Sequence, residues 1–246
     1  MTPRSIGIIG YGDFGRFLEA LAKRYAPEIV VRVFSRSKEP DNERFFSLED
    51  TAACDIVIIA VSIRAFEETL KKVLPLLSPE SILVEVNTVK VMPVRLLREL
   101  AKGQRYIATH PMFGPYSFEK QGGSLEGLRL VIADHTLPDE AFSKATDWLS
   151  TLGLSLVTMT ADEHDRMLAE TLFLTHYIAQ SVSRAGFVRT DIDTLSFGYL
   201  MDAVESVKED TELFRDVYEF NPYCKEILSR LKEAEGETLA VLARDR

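Results

Sequence analysis

SIGIIGYGDFG, residues 5–15, sets the architecture of this chain. A short apolar run ends on Gly10-Tyr11-Gly12-Asp13-Phe14-Gly15, a G-x-G-x-x-G turn. Behind it, DFGRFLEALAKRY (13–25) carries Phe14, Phe17, Leu18 and Leu21 at helical spacing. A glycine turn between a buried strand and a helix is dinucleotide-binding geometry. Gly10 allows the tight turn, Gly12 lets a pyrophosphate approach the backbone, and Gly15 lets helix and strand pack closely. The helix start, with Asp13 and Phe14, then faces the phosphates. A glycine-rich turn with no ligand is the alternative reading of the motif alone.

The same alternation continues outward. EIVVRVFS, DIVIIAVS, SILVEVNT, RYIATH, LRLVIAD and LSLVTMT read as strands. Helical patterns separate them at FEETLKKVLPLL, 92–101 and 138–151. Strands alternating with helices of this length imply βαβ units in an α/β fold, a Rossmann-like and mainly parallel sheet. Continuous Ile/Val runs fit strands buried on both faces.

From about residue 160 the pattern is helical only. ADEHDRMLAETLFLTHYIAQSVSRAG is one long helical stretch with Gly186 as its stop. Further helical patterns cover about 191–207, 210–220 and 222–243. The expected organisation is a nucleotide-binding domain over 1–159 and a small all-helical domain over 160–246. A helical region of this size is expected to bury apolar faces in a homodimer.

The chain has 246 residues, 46% hydrophobic and 27% charged, with a net charge of −9. That balance suits a soluble globular protein and argues against nucleic acid or an anionic membrane as partner. Two distant cysteines, Cys54 and Cys224, lack metal-ligand spacing and read as free thiols in a reducing compartment. No metal is expected, no apolar run has the length of a membrane span, and the expected location is the cytoplasm.

The second strand ends in Phe34-Ser35-Arg36-Ser37-Lys38. NAD sites usually carry an acidic residue there. A guanidinium flanked by hydroxyls suits a 2′-phosphate, so NADP is expected over NAD. Asp41 and Glu43 follow too late for the ribose role. Val61 and Ser62, just past the third strand, are expected to touch the cofactor, because ligands bind beyond the carboxyl ends of such strands.

One further segment stands out: Thr109-His110-Pro111-Met112-Phe113-Gly114-Pro115. Proline after His110 favours an extended backbone there. Gly114 permits angles closed to other residues, and Pro115 fixes its own φ. The expectation is a stiff loop holding one imidazole at the sheet edge where a nicotinamide lies. Oxidising an alcohol requires a base for the hydroxyl proton, and neutral imidazole suits it. A buried histidine satisfied by backbone is the competing reading of the residues alone.

That segment resembles the signature of the prephenate/arogenate dehydrogenase family of tyrosine biosynthesis. The resemblance extends to GIIGYGDFG, SRS at 35–37, VNTVK at 86–90, Glu163-His164-Asp165 and Thr175-His176. It implies oxidative decarboxylation of a cyclohexadiene bearing a ring hydroxyl and a ring carboxylate, with NADP taking hydride and His110 as base. It also implies a catalytic role for Thr88, through a hydrogen bond to the substrate or to His110, and substrate-side roles for Lys90, Gly114 and His176. Thr88 stands where the family usually has serine.

His164 and His176, twelve residues apart, would point about 120° apart on a regular helix. His164 is therefore expected to orient the helix start, with Glu163 and Asp165 complementing the dipole. His135 is expected in a solvated loop.

Alignment places Tyr223 where many prephenate-using relatives carry a carboxylate-binding arginine. Together with SRS and IDT at 192–194, this resembles the plant-type arogenate dehydrogenases. Arogenate is expected as substrate over prephenate, which would give 4-hydroxyphenylpyruvate. Arg184, Arg189 and Arg215 are the candidate replacements for the arginine. A non-catalytic NADP-binding regulator, or a β-hydroxyacid or imine oxidoreductase, is the competing reading.

Overall fold

The computed structural model describes residues 3–243. The chain divides into two compact units, one ending at Ala161 and the next beginning at Asp162.

The first unit is a seven-stranded sheet in the order β2-β1-β3-β4-β5-β6-β7. The strands are β1 Ser5–Ile9, β2 Val30–Phe34, β3 Ile56–Ile59, β4 Ile82–Glu85, β5 Arg105–Pro111, β6 Arg129–His135 and β7 Ser155–Thr158. All neighbours pair in parallel except β5 and β6, which are antiparallel. The centre of the sheet is buried, as the Ile/Val runs require. Ile8, Ile9, Val57, Ile59 and Leu83 are at most 1% exposed, and each large aliphatic side chain contributes roughly 1.5–3 kcal/mol by leaving water.

Helix α1, Asp13–Tyr25, opens directly after the glycine turn, with Asp13 in its first turn and Lys23 and Arg24 in its last. Those charges complement the helix dipole. Helices α2 Leu48–Ala52, α3 Ile63–Val73, α4 Val91–Leu100, α5 Pro115–Lys120 and α6 Asp139–Thr151 complete the unit. Phe66, Leu70 and Val73 of α3 and Leu97 of α4 pack against the sheet.

The strand order reverses between β1 and β3, which open in opposite directions across the sheet. This is the switch point where open α/β sheets bind ligands, outside the carboxyl ends of their strands. Two expectations shift here. His110 lies in β5, as the strand reading RYIATH expects and against the loop reading of 109–115, and Pro111 extends the strand one residue further. His135 ends β6, half-buried, with its ring stacked 3.8 Å from Phe142; an aromatic neighbour, not solvent, covers it.

The second unit is helical throughout. Helix α7, Ala161–Leu168, runs through a π-helical turn, Ala169–Phe173, into α8, Leu174–Arg184. Gly186, with φ of 78°, ends it in the left-handed region that favours glycine. Helices α9 Leu195–Val207, α10 Thr211–Phe220 and α11 Cys224–Ala243 follow. Ala179 packs with Met201, Val204 and Val207 of α9. Phe173 stacks on Phe214 and Tyr218 of α10 at 5.5 and 5.8 Å. Gln180 donates its amide to the carbonyls of Val207 and Lys208 at 3.0 and 3.1 Å, satisfying the end of α9.

Candidate active site

The three motif glycines differ in what surrounds them. Gly10 has φ of 110°, and a Cβ there would lie 2.4 Å from the Ala60 carbonyl oxygen. A Cβ on Gly15 would lie 2.1 Å from the Gly10 carbonyl oxygen, so helix and strand meet there with no room for a side chain. Around Gly12 there is open space. Gly12 is the N-cap of α1, with no side chain capping the helix. Free backbone donors, a helix dipole and an uncrowded approach are what a pyrophosphate requires, so the residues fit a dinucleotide. Asp13 is exposed and pairs with Arg16 at 2.5 Å; Phe14 packs on Phe17.

Beside this turn, the β2 end supplies Ser35, Arg36, Ser37 and Lys38. The two serine hydroxyls lie 3.1 Å apart, and Arg36 and Lys38 are exposed. Asp41 accepts the backbone N–H groups of Glu43, Arg44 and Phe45. Those bonds hold its carboxyl below the usual range and commit it to its own loop. Val61 packs against the core and Ser62 is exposed at the N-cap of α3. These groups share the carboxyl edge of β2, β1 and β3.

His110 lies on the same edge, in β5. Three strand spacings separate β5 from β1, roughly 14 Å at about 4.8 Å each. The imidazole is buried. A register shift between Ala108 and Thr109 precedes it in the β5–β6 pairing, a bulge of the kind that re-aims side chains beside active sites. Gly114 departs from expectation. Its φ of −140° is extended backbone open to any residue, and a Cβ there would meet nothing within 4 Å. It caps α5 instead, its N–H bonding to Ser117 Oγ at 2.9 Å.

The VNTVK segment holds the residue that sequence reasoning missed. Glu85, the last residue of β4, is fully buried, as is Lys90. The Lys90 ammonium bonds to the Glu85 carboxylate and donates to the Thr109 carbonyl at 2.5 Å. Burial pushes the Glu85 carboxyl up, against the pull of Lys90. Lys90 is no surface lysine: its charge is turned into the protein. The available signal was one acidic residue inside the apolar run SILVEV. Thr88 sits half-buried in the bend between Glu85 and Lys90.

In the helical unit the π turn changes the expected geometry. A π turn absorbs one extra residue without shifting the phase of the flanking helix. Twelve residues then rotate as eleven, and His164 and His176 fall within about 20° of each other rather than 120°. Both are buried. His164 Nδ1 meets Asp165 Oδ1 at 2.8 Å, and Asp165 is fully buried. Asp165 therefore orients a ring, a role beyond dipole complementation. His176 Nδ1 is buried with no hydrogen-bond partner among the described residues. Burial pushes the His176 pKa down to about 4, so the ring is neutral near pH 7.

Tyr223, just before α11, meets the start of α7. Its hydroxyl donates to Asp162 at 2.6 Å, and the Arg166 guanidinium lies 4.2 Å from its ring centroid. Asp162 and Arg166 each stand two residues from His164, about 160° around the helix. Arg189 is bound to Asp193, Asp202 and Glu205. Arg215 lines a surface cavity of about 280 Å³ with Tyr218, Glu219 and Lys225. Among the described residues no group of three or more His, Cys, Asp or Glu could hold a metal ion.

Known proteins resemble this chain in sequence and in fold. The profile of the prephenate dehydrogenase nucleotide-binding domain matches residues 41–157. Arogenate dehydrogenase 2, chloroplastic, from Arabidopsis thaliana is 29% identical over 93% of this chain and 67% of its own length. Arogenate dehydrogenase 1, chloroplastic, of the same plant is 30% identical over 93% of this chain, which spans only 38% of that protein. The crystal structure of prephenate dehydrogenase from A. aeolicus in complex with hydroxyphenyl propionate and NAD+ superposes with a TM-score of 0.76. It covers 100% of this chain and 92% of its own, at 18% identity, a likeness of fold. Residues 41–157 thus carry a prephenate dehydrogenase nucleotide-binding domain, and the chain is similar along most of its length to the arogenate dehydrogenases.

Proposed function

We propose that this protein oxidatively decarboxylates arogenate to tyrosine with NADP. The observation that carries the reading is a single buried imidazole, His110, on the carboxyl edge of a sheet whose glycine turn suits a dinucleotide. The bound cofactor supplies the hydride acceptor. His110 takes the ring-hydroxyl proton as the C–H bond breaks, and the resulting dienone loses CO2 because its ring becomes aromatic. Thr88, half-buried beside this edge, is in our reading the hydroxyl that orients substrate or base. His176, neutral and with an unpartnered nitrogen, suits a substrate hydrogen bond.

The NADP preference rests on Arg36, exposed beside the Ser35 and Ser37 hydroxyls. The arogenate preference rests on the loss of a cation at Tyr223. One observation favours prephenate instead: the Arg166 guanidinium on the Tyr223 ring returns a positive charge to that position.

The test is initial-rate reduction of NADP and NAD with arogenate and with prephenate, with His110→Ala as control. We expect turnover with arogenate and NADP, lowered by about 10²–10⁴-fold in the variant. Prephenate turnover alone would overturn the substrate assignment. Dinucleotide binding with no turnover on either substrate would leave a cofactor-binding regulator.

A homodimer through the helical unit belongs to the same reading. Phe187, Val188, Ile192, Leu195 and Tyr199 are each more than 60% exposed on the α8–α9 loop and α9, an apolar set that a second copy would cover. Light scattering on the purified protein checks it. The free, buried Cys54 and Cys224 support a reducing compartment such as the cytoplasm. None of the described helices is long and apolar enough to cross a membrane.

A further inference from the structure

The parallel pairing of β4 with β5 ends at Glu85 and Ala108. Thr109 lies one residue beyond, at the bulge, and its carbonyl receives the Lys90 ammonium. Its hydroxyl donates to the Glu85 carbonyl at 2.9 Å. The Glu85 carboxylate holds Lys90 and also accepts the Asn87 N–H at 2.5 Å. These bonds end on Thr109 or on the turn that carries Lys90. The next residue is His110.

Stability alone does not explain a fully buried ion pair here. Desolvating two charges costs several kcal/mol per ion, and well-packed apolar residues of similar volume are often as stable or more so. An apolar pair, however, takes the Lys90 donor away from the Thr109 carbonyl. We propose that Glu85 and Lys90 are positioning residues for the base: the pair grips the Thr109 carbonyl at the bulge and so fixes the backbone from which His110 projects. This rests on His110 acting as the base.

The test separates folding from positioning. Lys90→Met alone should lower both the melting temperature and kcat. The double variant Glu85→Leu/Lys90→Met removes both charges. It should recover the melting temperature but keep kcat reduced on the order of 100-fold, the cost of a small misplacement of a reacting group, with dinucleotide affinity unchanged. If the double variant recovers kcat as well, the pair serves stability only and the proposal fails.

Should the double variant not fold, Thr109→Val and Thr109→Ser test the other leg. Serine, which keeps the hydroxyl, should retain kcat and valine should lose it; equal rates would overturn the proposal. The imidazole titration of His110, followed by NMR in each variant, gives a readout that needs no turnover. A displaced titration in the double variant supports positioning and an unchanged one refutes it. An inactive wild type would sink the proposed reaction, and the His110 titration would still decide whether the pair positions that ring.

Discussion

Two buried polar sites, one in each unit, answer burial in opposite ways. In the sheet unit, Glu85 and Lys90 are both fully buried and bonded to each other. In the helical unit, His176 is almost as deeply buried, yet its Nδ1 has no hydrogen-bond partner among the described residues. Glu85 and Lys90 answer burial by pairing charges. His176 answers it by giving up the charge, since burial alone pushes its pKa down to about 4. A paired buried charge fixes backbone around it; an uncharged ring with an open nitrogen keeps bonding capacity for something else.

The sharpest way to break this contrast is Glu85→Ala, which leaves the Lys90 ammonium buried without its carboxylate. Stability should fall by about 3–5 kcal/mol, measured by urea denaturation. A loss under about 1 kcal/mol would mean that Lys90 sheds its proton as readily as His176 does, and the distinction between the two sites would go.

The second test sharpens it from the other side. The folded His176 pKa, about 4, lies below the unfolded value near 6.5. Between those values the unfolded chain binds the extra proton, so stability is full above about pH 6.5 and declines as pH falls toward 4. The loss is on the order of 3 kcal/mol over the window. His176→Leu should melt with a flatter pH dependence over that range. Parallel curves for variant and wild type would show that another group drives the acid sensitivity.

The smallest effect is expected in the glycine turn, where nothing is buried to lose. Gly12→Ala meets open space and should change stability by no more than about 0.5 kcal/mol. It should still weaken dinucleotide binding, read by fluorescence titration, because a methyl stands in the phosphate approach. A large drop in melting temperature instead would mean the turn is held by more than its own backbone.

Legibility in the sequence followed how local each cause was. The glycine turn, β1 and α1 could be read residue by residue because each requirement acts within about ten positions. His110 was recognisable, but its setting only in part: the antiparallel β6 that extends the strand to Pro111 lies some twenty residues on. Glu85 and Asp165 escaped notice because their partners are decided by packing. Gly114 misled in the other direction, since Gly-Pro suggested special backbone angles where ordinary extended ones occur. The π turn has no marker in AETLF that helical periodicity could reveal.

That wide turn matters for comparing this chain with its kin. An extra residue absorbed inside a helix is what a one-residue insertion would leave, and it sits in the middle of an element where gaps are rarely placed. In a relative with a plain α-helix, the two histidines on one face would stand eleven residues apart. A gapless alignment anchored on His164 would then set that relative's second histidine against Thr175, and a shared residue would read as lost. The gap belongs within 169–173, and the histidine count along this helix tells which lineages carry the extra residue.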